Sequence, residues 1–251
     1  MTAIVLLPGM DGTGLLFRDF VAELEAESII VAYPGDQPLG YAELEQLVWA
    51  ALPKDEPFIL LGESFSGPLA IAIAAKQPPN LCAVVLVCTF AKLPLPWIPA
   101  WLQKLVGKSP VARVPVAFTA RTVLGPFYSR HLYALLKEVH DMVSPAVWNA
   151  RLLAVMAIDH TALLAHIHVP VLYLRAIYDK VVSASASALI SQYLPQAEVV
   201  DFASPHFLLQ TKPAEAAVAI RTFAQEHGIP FPYAHHQHYS ATAHHRHPGL
   251  G

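Results

Sequence analysis

The chain has 251 residues, of which 55% are hydrophobic and 14% are charged, and its formal net charge is −3 at neutral pH. A length of this order fits one large α/β domain with a sizeable buried core. The charge balance gives no reason to expect binding to nucleic acid or to an anionic membrane. No apolar run approaches the roughly 20 residues that a membrane-spanning helix needs.

The first predicted element is a buried strand, the apolar run over residues 3–7. A glycine-rich loop, residues 8–14, follows at its carboxyl end and leads into a helix over about 15–25. The loop matches neither GxxxxGK[ST] nor GxGxxG, so the pattern does not favour a phosphate site. Two interpretations stay open: a flexible turn, or a loop in which the backbone N–H after Gly9, that of Met10, stabilises an oxyanion.

Strands are predicted next at residues 28–33, 58–61 and 81–87, with an amphipathic helix over 41–52 between the first two. The alternation of apolar strands with helices indicates a mostly parallel sheet covered by helices on both faces. Such sheets bind ligands at the carboxyl ends of their strands.

A tight turn with Ser64 at its centre joins the strand at 58–61 to an almost wholly apolar helix, residues 65–76. This is the context in which the GxSxG motif of a nucleophilic serine has meaning. Gly62 occupies the first small position, but the second holds Ser66, one residue before Gly67. We expect Ser66 to be small enough to preserve the strained turn. The alternative is an ordinary loop with a serine at a helix start.

The alternation stops over residues 91–168, where prolines separate helical pieces and Ser144-Pro145 resembles the start of a helix. We interpret this stretch as a helical cap inserted over the carboxyl edge of the sheet, with an apolar pocket beneath it. Its aromatic residues either line that pocket or pack the cap's own core: Trp97, Trp101, Phe118, Phe127, Tyr128, Tyr133 and Trp148.

Two more strands, at 169–175 and 197–202, restore the pattern, and a closing helix runs over about 213–225. The predicted organisation follows from these boundaries. It has an α/β core over 1–90 and 169–227, a helical cap over 91–168, and a disordered, histidine-rich tail over 228–251.

The two cysteines, Cys82 and Cys88, fall on one predicted strand. Six residues of strand span about 20 Å, which is beyond the reach of a disulfide. No basic segment precedes the first apolar strand, so we expect no signal peptide. Reduced thiols and the missing signal favour a cytoplasmic location.

Ser64, Asp179 and His206 occur in the order Ser, Asp, His, and each follows the carboxyl end of a predicted strand. A nucleophilic serine requires a base, a carboxylate that orients the base, and N–H donors for the oxyanion. Three matching residue types at equivalent positions are far more specific than the serine turn alone.

The local sequences over 7–14, 62–67 and 205–210 make the chain resemble a serine hydrolase of the α/β-hydrolase fold across roughly residues 2–227. It resembles a bacterial branch of small esterase-like members. It also resembles plant plastid acyl-ester synthases, which move fatty acyl groups to an alcohol.

The resemblance implies a role for five residues: Ser64 as nucleophile, His206 as base, Asp179 as orienting acid, and the backbone N–H groups of Met10 and Phe65 as the oxyanion hole. The family usually has His-Gly where this chain has Pro8-Gly9. Since the oxyanion donors are main-chain groups, this change bears on the shape of the pocket.

Other ionisable residues compete for these roles less well. In some members the acid follows the preceding core strand, but residues 88–91 hold no carboxylate, and Asp201 is expected within the last strand. Glu63 is interpreted as an exposed turn carboxylate rather than as a group that tunes the nucleophile. Eleven other histidines precede a strand at its amino end, lie in the cap as surface or substrate-contacting groups, or belong to the tail: His160, His166 and His168; His131 and His140; and His235, His236, His238, His244, His245 and His247.

The predicted function is the hydrolysis of carboxylic esters with apolar acyl groups through an acyl-enzyme on Ser64. One alternative is an acyltransferase that uses the same residues with an alcohol acceptor. Another is a non-catalytic binding module on this fold. The expected partner is a small apolar ester; no metal, nucleotide cofactor or nucleic acid is implied, and the oligomeric state stays open.

Overall fold

Six parallel strands form the central sheet of the computed structural model, which describes residues 2–93 and 116–231, with only the backbone of residues 118 and 119. The spatial order is β2-β1-β3-β4-β5-β6, and every neighbouring pair is parallel. The strands are β1 (Ala3–Leu7), β2 (Ser28–Ile30), β3 (Phe58–Glu63), β4 (Leu81–Val87), β5 (Val171–Ala176) and β6 (Glu198–Phe202). The predicted parallel α/β sheet is confirmed.

Helices cover both faces of this sheet, as expected for strands that are apolar on both sides. The α-helices are α1 (Arg18–Leu24), α2 (Tyr41–Ala51), α3 (Gly67–Ala75), α4 (Val116–Leu124), α5 (Arg130–Asp141), α6 (Pro145–Ala157), α7 (Ala184–Tyr193), α8 (Leu208–Thr211) and α9 (Pro213–Glu226). Short 3₁₀ turns lie at Leu15–Phe17, Ser64–Ser66, Gly125–Phe127 and Thr161–His166.

Alternation along β3 explains its continuous apolar sequence. Phe58 and Leu60 pack on the face covered by α2, α3 and α7, whereas Ile59 and Leu61 pack on the face covered by α1 and α9. Helix α3 is buried nearly all round because it lies between the sheet, α2 and the turn at Thr161–His166. A helix in such a position needs no polar face.

Strand β2 is shorter than the predicted 28–33 and ends at Ile30. Beyond it the backbone first bonds once more to β1 and then to the loop that follows β1. Val31 N–H donates to the Leu6 carbonyl (3.1 Å), and Tyr33 N–H donates to the Gly12 carbonyl (2.7 Å) in the loop after β1. The chain therefore leaves the sheet to support that loop.

The chain between β4 and β5 contributes α4, α5 and α6, and α6 begins as predicted. Ser144 Oγ accepts a hydrogen bond from Val147 N–H (3.3 Å), and Pro145 is the first helical residue. Helices α4 and α5 share a small apolar core with Leu16, against which Tyr128 and Tyr133 pack. Residues 94–115, with Trp97 and Trp101, lie outside the described residues, so the full extent of the cap stays a prediction.

The predicted start of the tail at residue 228 is too early. Ile229 and Phe231 are buried in the core formed by α1 and α9, and Thr2 N–H donates to the Pro230 carbonyl (3.0 Å). Apolar side chains and a backbone partner hold this segment on the core. The tail histidines lie outside the described residues.

No helix in the described ranges is long and apolar enough to cross a membrane. Both cysteines, Cys82 and Cys88, are free thiols.

Replacing Gly62 by alanine should lower the free energy of unfolding by about 1–3 kcal/mol, as overpacking in a filled core does. A Cβ at this position would lie 2.7 Å from the Ser66 carbonyl oxygen and 2.9 Å from Ala70 Cβ. Urea unfolding of Gly62→Ala measures the loss. Gly40→Ala is the control, because its new Cβ meets only the flexible end of Glu43; a loss as large as that of Gly62→Ala would contradict the packing argument.

Candidate active site

Ser64 lies in a strained turn between β3 and α3. Its φ angle is 50°, in the left-handed region that residues with a side chain rarely adopt. The turn is forced by the close approach of the two elements: a Cβ on Gly62 would meet the Ser66 carbonyl, and one on Gly67 would overlap Thr89. Strain of this kind clusters at functional sites.

Ser64, Asp179 and His206 lie close together in the segments that follow β3, β5 and β6, respectively. Ser64 Oγ lies 2.8 Å from His206 Nε2, and His206 Nδ1 lies 2.7 Å from Asp179 Oδ2. The histidine is 8% exposed, and the aspartate side chain is 7% exposed. With the neutral histidine protonated on Nδ1, the ring donates to Asp179 and accepts the hydroxyl proton of Ser64.

The Asp179 carboxylate is itself held in position. Its Oδ1 accepts the backbone N–H groups of Val181 (2.7 Å) and Val182 (2.8 Å). Since Oδ2 faces His206, both oxygens have hydrogen-bond partners. Such bonds orient the carboxylate toward the imidazole.

Ser66 replaces the second glycine of the motif and takes part in a buried hydrogen-bond chain. Its hydroxyl donates to the Pro8 carbonyl and accepts from Tyr33 OH (2.7 Å). The serine turn is thereby tied to the loop after β1. The expectation that a serine fits this position is met, and its hydroxyl adds a contact that glycine would lack.

All five carbonyl groups of residues 8–12 accept hydrogen bonds from within the protein. The donors are Ser66 Oγ to Pro8, Gly12 N–H to Gly9 (3.0 Å), Arg151 Nη1 to Met10 (2.8 Å) and to Asp11 (2.7 Å), and Tyr33 N–H to Gly12 (2.7 Å). A trans peptide directs its C=O and N–H in opposite directions. The Met10 N–H therefore points away from the Gly9 carbonyl, and among the described residues it donates to no acceptor.

Phe65 follows Ser64 in the first turn of a helical segment, where backbone N–H groups have no partner within the helix. Its carbonyl accepts from Tyr41 OH (2.8 Å), and its ring stacks on that of Tyr41, with centroids 4.7 Å apart. Tyr41 thus anchors Phe65 through both its carbonyl and its ring.

Glu63 corrects the expectation of an exposed turn carboxylate, because it is only 5% exposed. It is the last residue of β3, and its Oε1 accepts from Gln210 Nε2 on α8 (3.0 Å). Burial raises the pKa of Glu63 from its usual 4.5 to about 7, although the Gln210 hydrogen bond opposes the shift. Asp11, in the neighbouring loop, also has a raised pKa because it is buried.

A cavity of about 500 Å³ opens onto Ser64 and His206. Its walls come from the loop after β1 and from helices α4, α5 and α6. They are mostly apolar, and the wall residues include Leu16, Val116, Ala120, Val123, Leu136, Val139, Trp148, Val181 and Phe207. Of the described aromatic residues between β4 and β5, Trp148 lines the cavity, while Tyr128 and Tyr133 pack the helices' own core.

Apart from Glu63, which also lines the cavity, the competing ionisable residues lie elsewhere, with one exception. Asp201 is within β6, as expected, and pairs with Arg175 on β5 (Nε to Oδ1, 2.6 Å). His160 Nδ1 lies 3.0 Å from the Pro68 carbonyl, and His131 pairs with Asp19. His140 is the exception, since it lines the cavity and stacks on Trp148.

Arg151 was not identified from the sequence. It is the only charged residue of α6, and apolar Val147 and Val155 lie one helical turn away on either side. That pattern is the one signal that its side chain faces inward. Within residues 2–93 and 116–231, no group of His, Cys, Asp or Glu residues is arranged to hold a metal ion.

Residues 42–202 match the family described as serine aminopeptidase, S33. The chain belongs to this family. It is therefore an α/β hydrolase, as the resemblance predicts. A comparison with curated proteins gave no match.

Solved structures show the same fold. A lipase-esterase related protein from Clostridium acetobutylicum superposes with a TM-score of 0.74 at 18% identity, covering 88% of this chain and 94% of that one. An enol-lactonase from Burkholderia xenovorans superposes with a TM-score of 0.72 at 17% identity, covering 89% of this chain and 91% of that one. A bromoperoxidase from Bacillus anthracis superposes with a TM-score of 0.75 at 17% identity, covering 89% of this chain and 92% of that one.

Stability should fall as Glu63 ionises. Its pKa is higher in the folded protein than in the unfolded chain, so the folded state holds the extra proton between about pH 4.5 and 7. The stabilisation is fully present below that range and is lost as the pH rises through 7. Relative to Glu63→Gln, the wild type should lose up to about 3 kcal/mol between pH 4 and 8, at about 1.4 kcal/mol per pKa unit.

Urea unfolding of both proteins at several pH values measures this difference. A constant offset between them reflects the altered hydrogen bond with Gln210 and does not affect the comparison. Parallel stability curves across the range would contradict a buried, protonated Glu63.

Proposed function

We propose that this hydrolase cleaves carboxylic esters with apolar acyl groups through an acyl-enzyme on Ser64. The observation that carries the proposal is the hydrogen-bonded series Ser64, His206 and Asp179, which opens onto a mostly apolar cavity. A buried base within hydrogen-bond distance of a serine hydroxyl, and itself oriented by a carboxylate, is the arrangement that activates a serine nucleophile.

In the proposed acylation step, Ser64 Oγ attacks the ester carbonyl carbon while His206 Nε2 takes the hydroxyl proton. Asp179 stabilises the imidazolium that forms. The carbonyl oxygen becomes negatively charged and accepts hydrogen bonds from Met10 N–H and Phe65 N–H. The tetrahedral intermediate collapses as the C–O bond breaks, and His206 returns the proton to the departing alcohol.

Deacylation repeats these steps with water in place of serine. His206 takes a proton from the water as its oxygen attacks the acyl carbon, and the proton passes to Ser64 Oγ as the carboxylic acid leaves. The same two N–H groups stabilise the second oxyanion.

An apolar ester fits the cavity better than the amino terminus of a peptide. An aminopeptidase would need a charged carboxylate to hold the substrate ammonium group. Among the described residues, two carboxyl groups line the cavity, those of Asp11 and Glu63; both are buried, and burial raises both pKa values. Asp11 Oδ1 is also occupied by the N–H and hydroxyl of Thr13.

Ser64→Ala should lower ester turnover by about 10³-fold or more, because the nucleophile is lost. Hydrolysis of p-nitrophenyl esters from two to sixteen carbons by wild type and variant measures the change. Ser28→Ala, which alters a serine on β2, is the matched control and should behave like the wild type. Near-normal turnover by Ser64→Ala would refute the proposed mechanism, as would faster cleavage of aminoacyl p-nitroanilides than of any ester.

The wild type should gain in kcat/KM from acetyl to octanoyl esters, since each buried CH₂ contributes up to about 0.8 kcal/mol. Val123→Phe should shift the preference to shorter chains by filling part of the cavity wall. Val218→Phe is the matched control, because Val218 is exposed on α9. A preference for acetyl esters in the wild type, or an unchanged profile in Val123→Phe, would contradict the assignment of the cavity to the acyl chain.

A further inference from the structure

Arg151 is a cation in the interior of the protein, only 1% exposed. Its guanidinium donates to three backbone carbonyls: Nη1 to Met10 and Asp11, and Nη2 to Pro34 (3.0 Å). It also lies over the ring of Tyr33, 5.7 Å from the centroid. Among the described residues it forms no ion pair within 4.0 Å. Burial of a cation is costly, and here the cost is offset by these three carbonyls and by Coulombic attraction to Asp11 in the same loop.

The two Nη1 bonds determine the orientation of the peptides that follow the proposed oxyanion donor. The peptide before Met10 is held through the Gly9 carbonyl, and the peptide after it is held by Arg151. Met10 is thus fixed from both sides. Gly12 completes the fit, because a Cβ at that position would lie 2.6 Å from Arg151 Nη1.

Helix α6 also forms part of the cavity wall, through Trp148. Trp148 precedes Arg151 by three residues, and residues with this spacing lie on the same side of a helix. The N-terminus of α6 is attached separately, through Ser144 N–H and the Gly35 carbonyl (2.8 Å). Helix α6 therefore carries both a cavity-wall residue, Trp148, and the residue that holds the Met10 loop through hydrogen bonds, Arg151.

We propose that Arg151 is a positioning residue that couples occupation of the cavity to the orientation of Met10 N–H. This rests on the proposed function. An acyl chain that packs against Trp148 holds α6 in place, and Arg151 then holds Met10 where its N–H meets the oxyanion. A short acyl chain does not reach Trp148, so Met10 N–H is held less firmly.

The test compares wild type, Arg151→Lys, Trp148→Ala and the double variant on p-nitrophenyl butanoate and octanoate. Lysine keeps the charge but cannot reproduce the planar fork of donors. Arg151→Lys should lower kcat on octanoate at least about 10-fold and on butanoate much less, with little change in KM. Trp148→Ala should reduce the octanoate preference in kcat as well. In the double variant the two losses should not add, because they interrupt the same linkage.

Ser144→Ala is the matched control, since it weakens the same helix by removing its N-cap without touching the Met10 loop. It should lower thermal stability and keep the octanoate-to-butanoate ratio. The proposal would be overturned if Arg151→Lys lowered kcat equally on both esters, or if the losses in kcat were additive in the double variant. It would also be overturned if Ser144→Ala changed the octanoate-to-butanoate ratio as strongly as Arg151→Lys does. Trp148→Ala keeps Arg151, so it tests the linkage even where Arg151→Lys does not fold.

Labelling of Ser64 by ethyl and octyl fluorophosphonates separates this proposal from the proposed function. Ser64 Oγ forms a bond to phosphorus as fluoride leaves, and an oxygen on the resulting tetrahedral phosphorus occupies the oxyanion position without requiring ester turnover. A wild type that is labelled but hydrolyses no ester contradicts the proposed function. The role of Arg151 is then still tested by the octyl-to-ethyl labelling ratio, which should be lower in the Arg151 and Trp148 variants than in the wild type. No labelling of the wild type would overturn both.

Discussion

The close approach of β3 and α3 is the constraint on which the candidate site depends. The two elements pass so near each other that Gly62 and Gly67 have no room for a Cβ, and Ser64 between them is held at a φ angle of 50°. The parallel sheet maintains this strain, because β3 is buried between β1 and β4. The serine is thereby presented at the carboxyl edge, where the loops after β5 and β6 bring Asp179 and His206 to it.

A second constraint lies in the loop after β1, whose five successive carbonyls are all engaged: that of Gly9 by Gly12 N–H within the loop, and the other four by donors from distant parts of the chain. Ser66 reaches the loop from the serine turn, Tyr33 from the chain after β2, and Arg151 from α6. Because each carbonyl is engaged, the intervening N–H groups have a defined direction. A flexible turn, the alternative that the sequence leaves open for this loop, does not describe it.

Buried polar groups distinguish this site from its apolar surroundings. Glu63 and Asp11 lie in the interior with raised pKa values, close to a cation, Arg151, that is engaged by carbonyls rather than by a carboxylate. In a medium of low dielectric constant, each such group responds strongly to its neighbours. The cavity wall and the loop are therefore linked by electrostatics as well as by packing.

The sequence by itself determined the order of strands and helices, the serine turn, and the positions of Ser64, Asp179 and His206 after strand ends, because periodicity and small residues are local signals. Tertiary structure alone decided which polar groups are buried. The sequence pattern predicts an exposed Glu63 and a tail from residue 228, and it does not predict a buried Arg151; the structure differs at all three. Each depends on partners far away in the chain, such as Gln210 for Glu63 and Met10 for Arg151. A local sequence pattern does not reveal such partners, because the burial of a polar side chain depends on which distant segments of the chain pack against it.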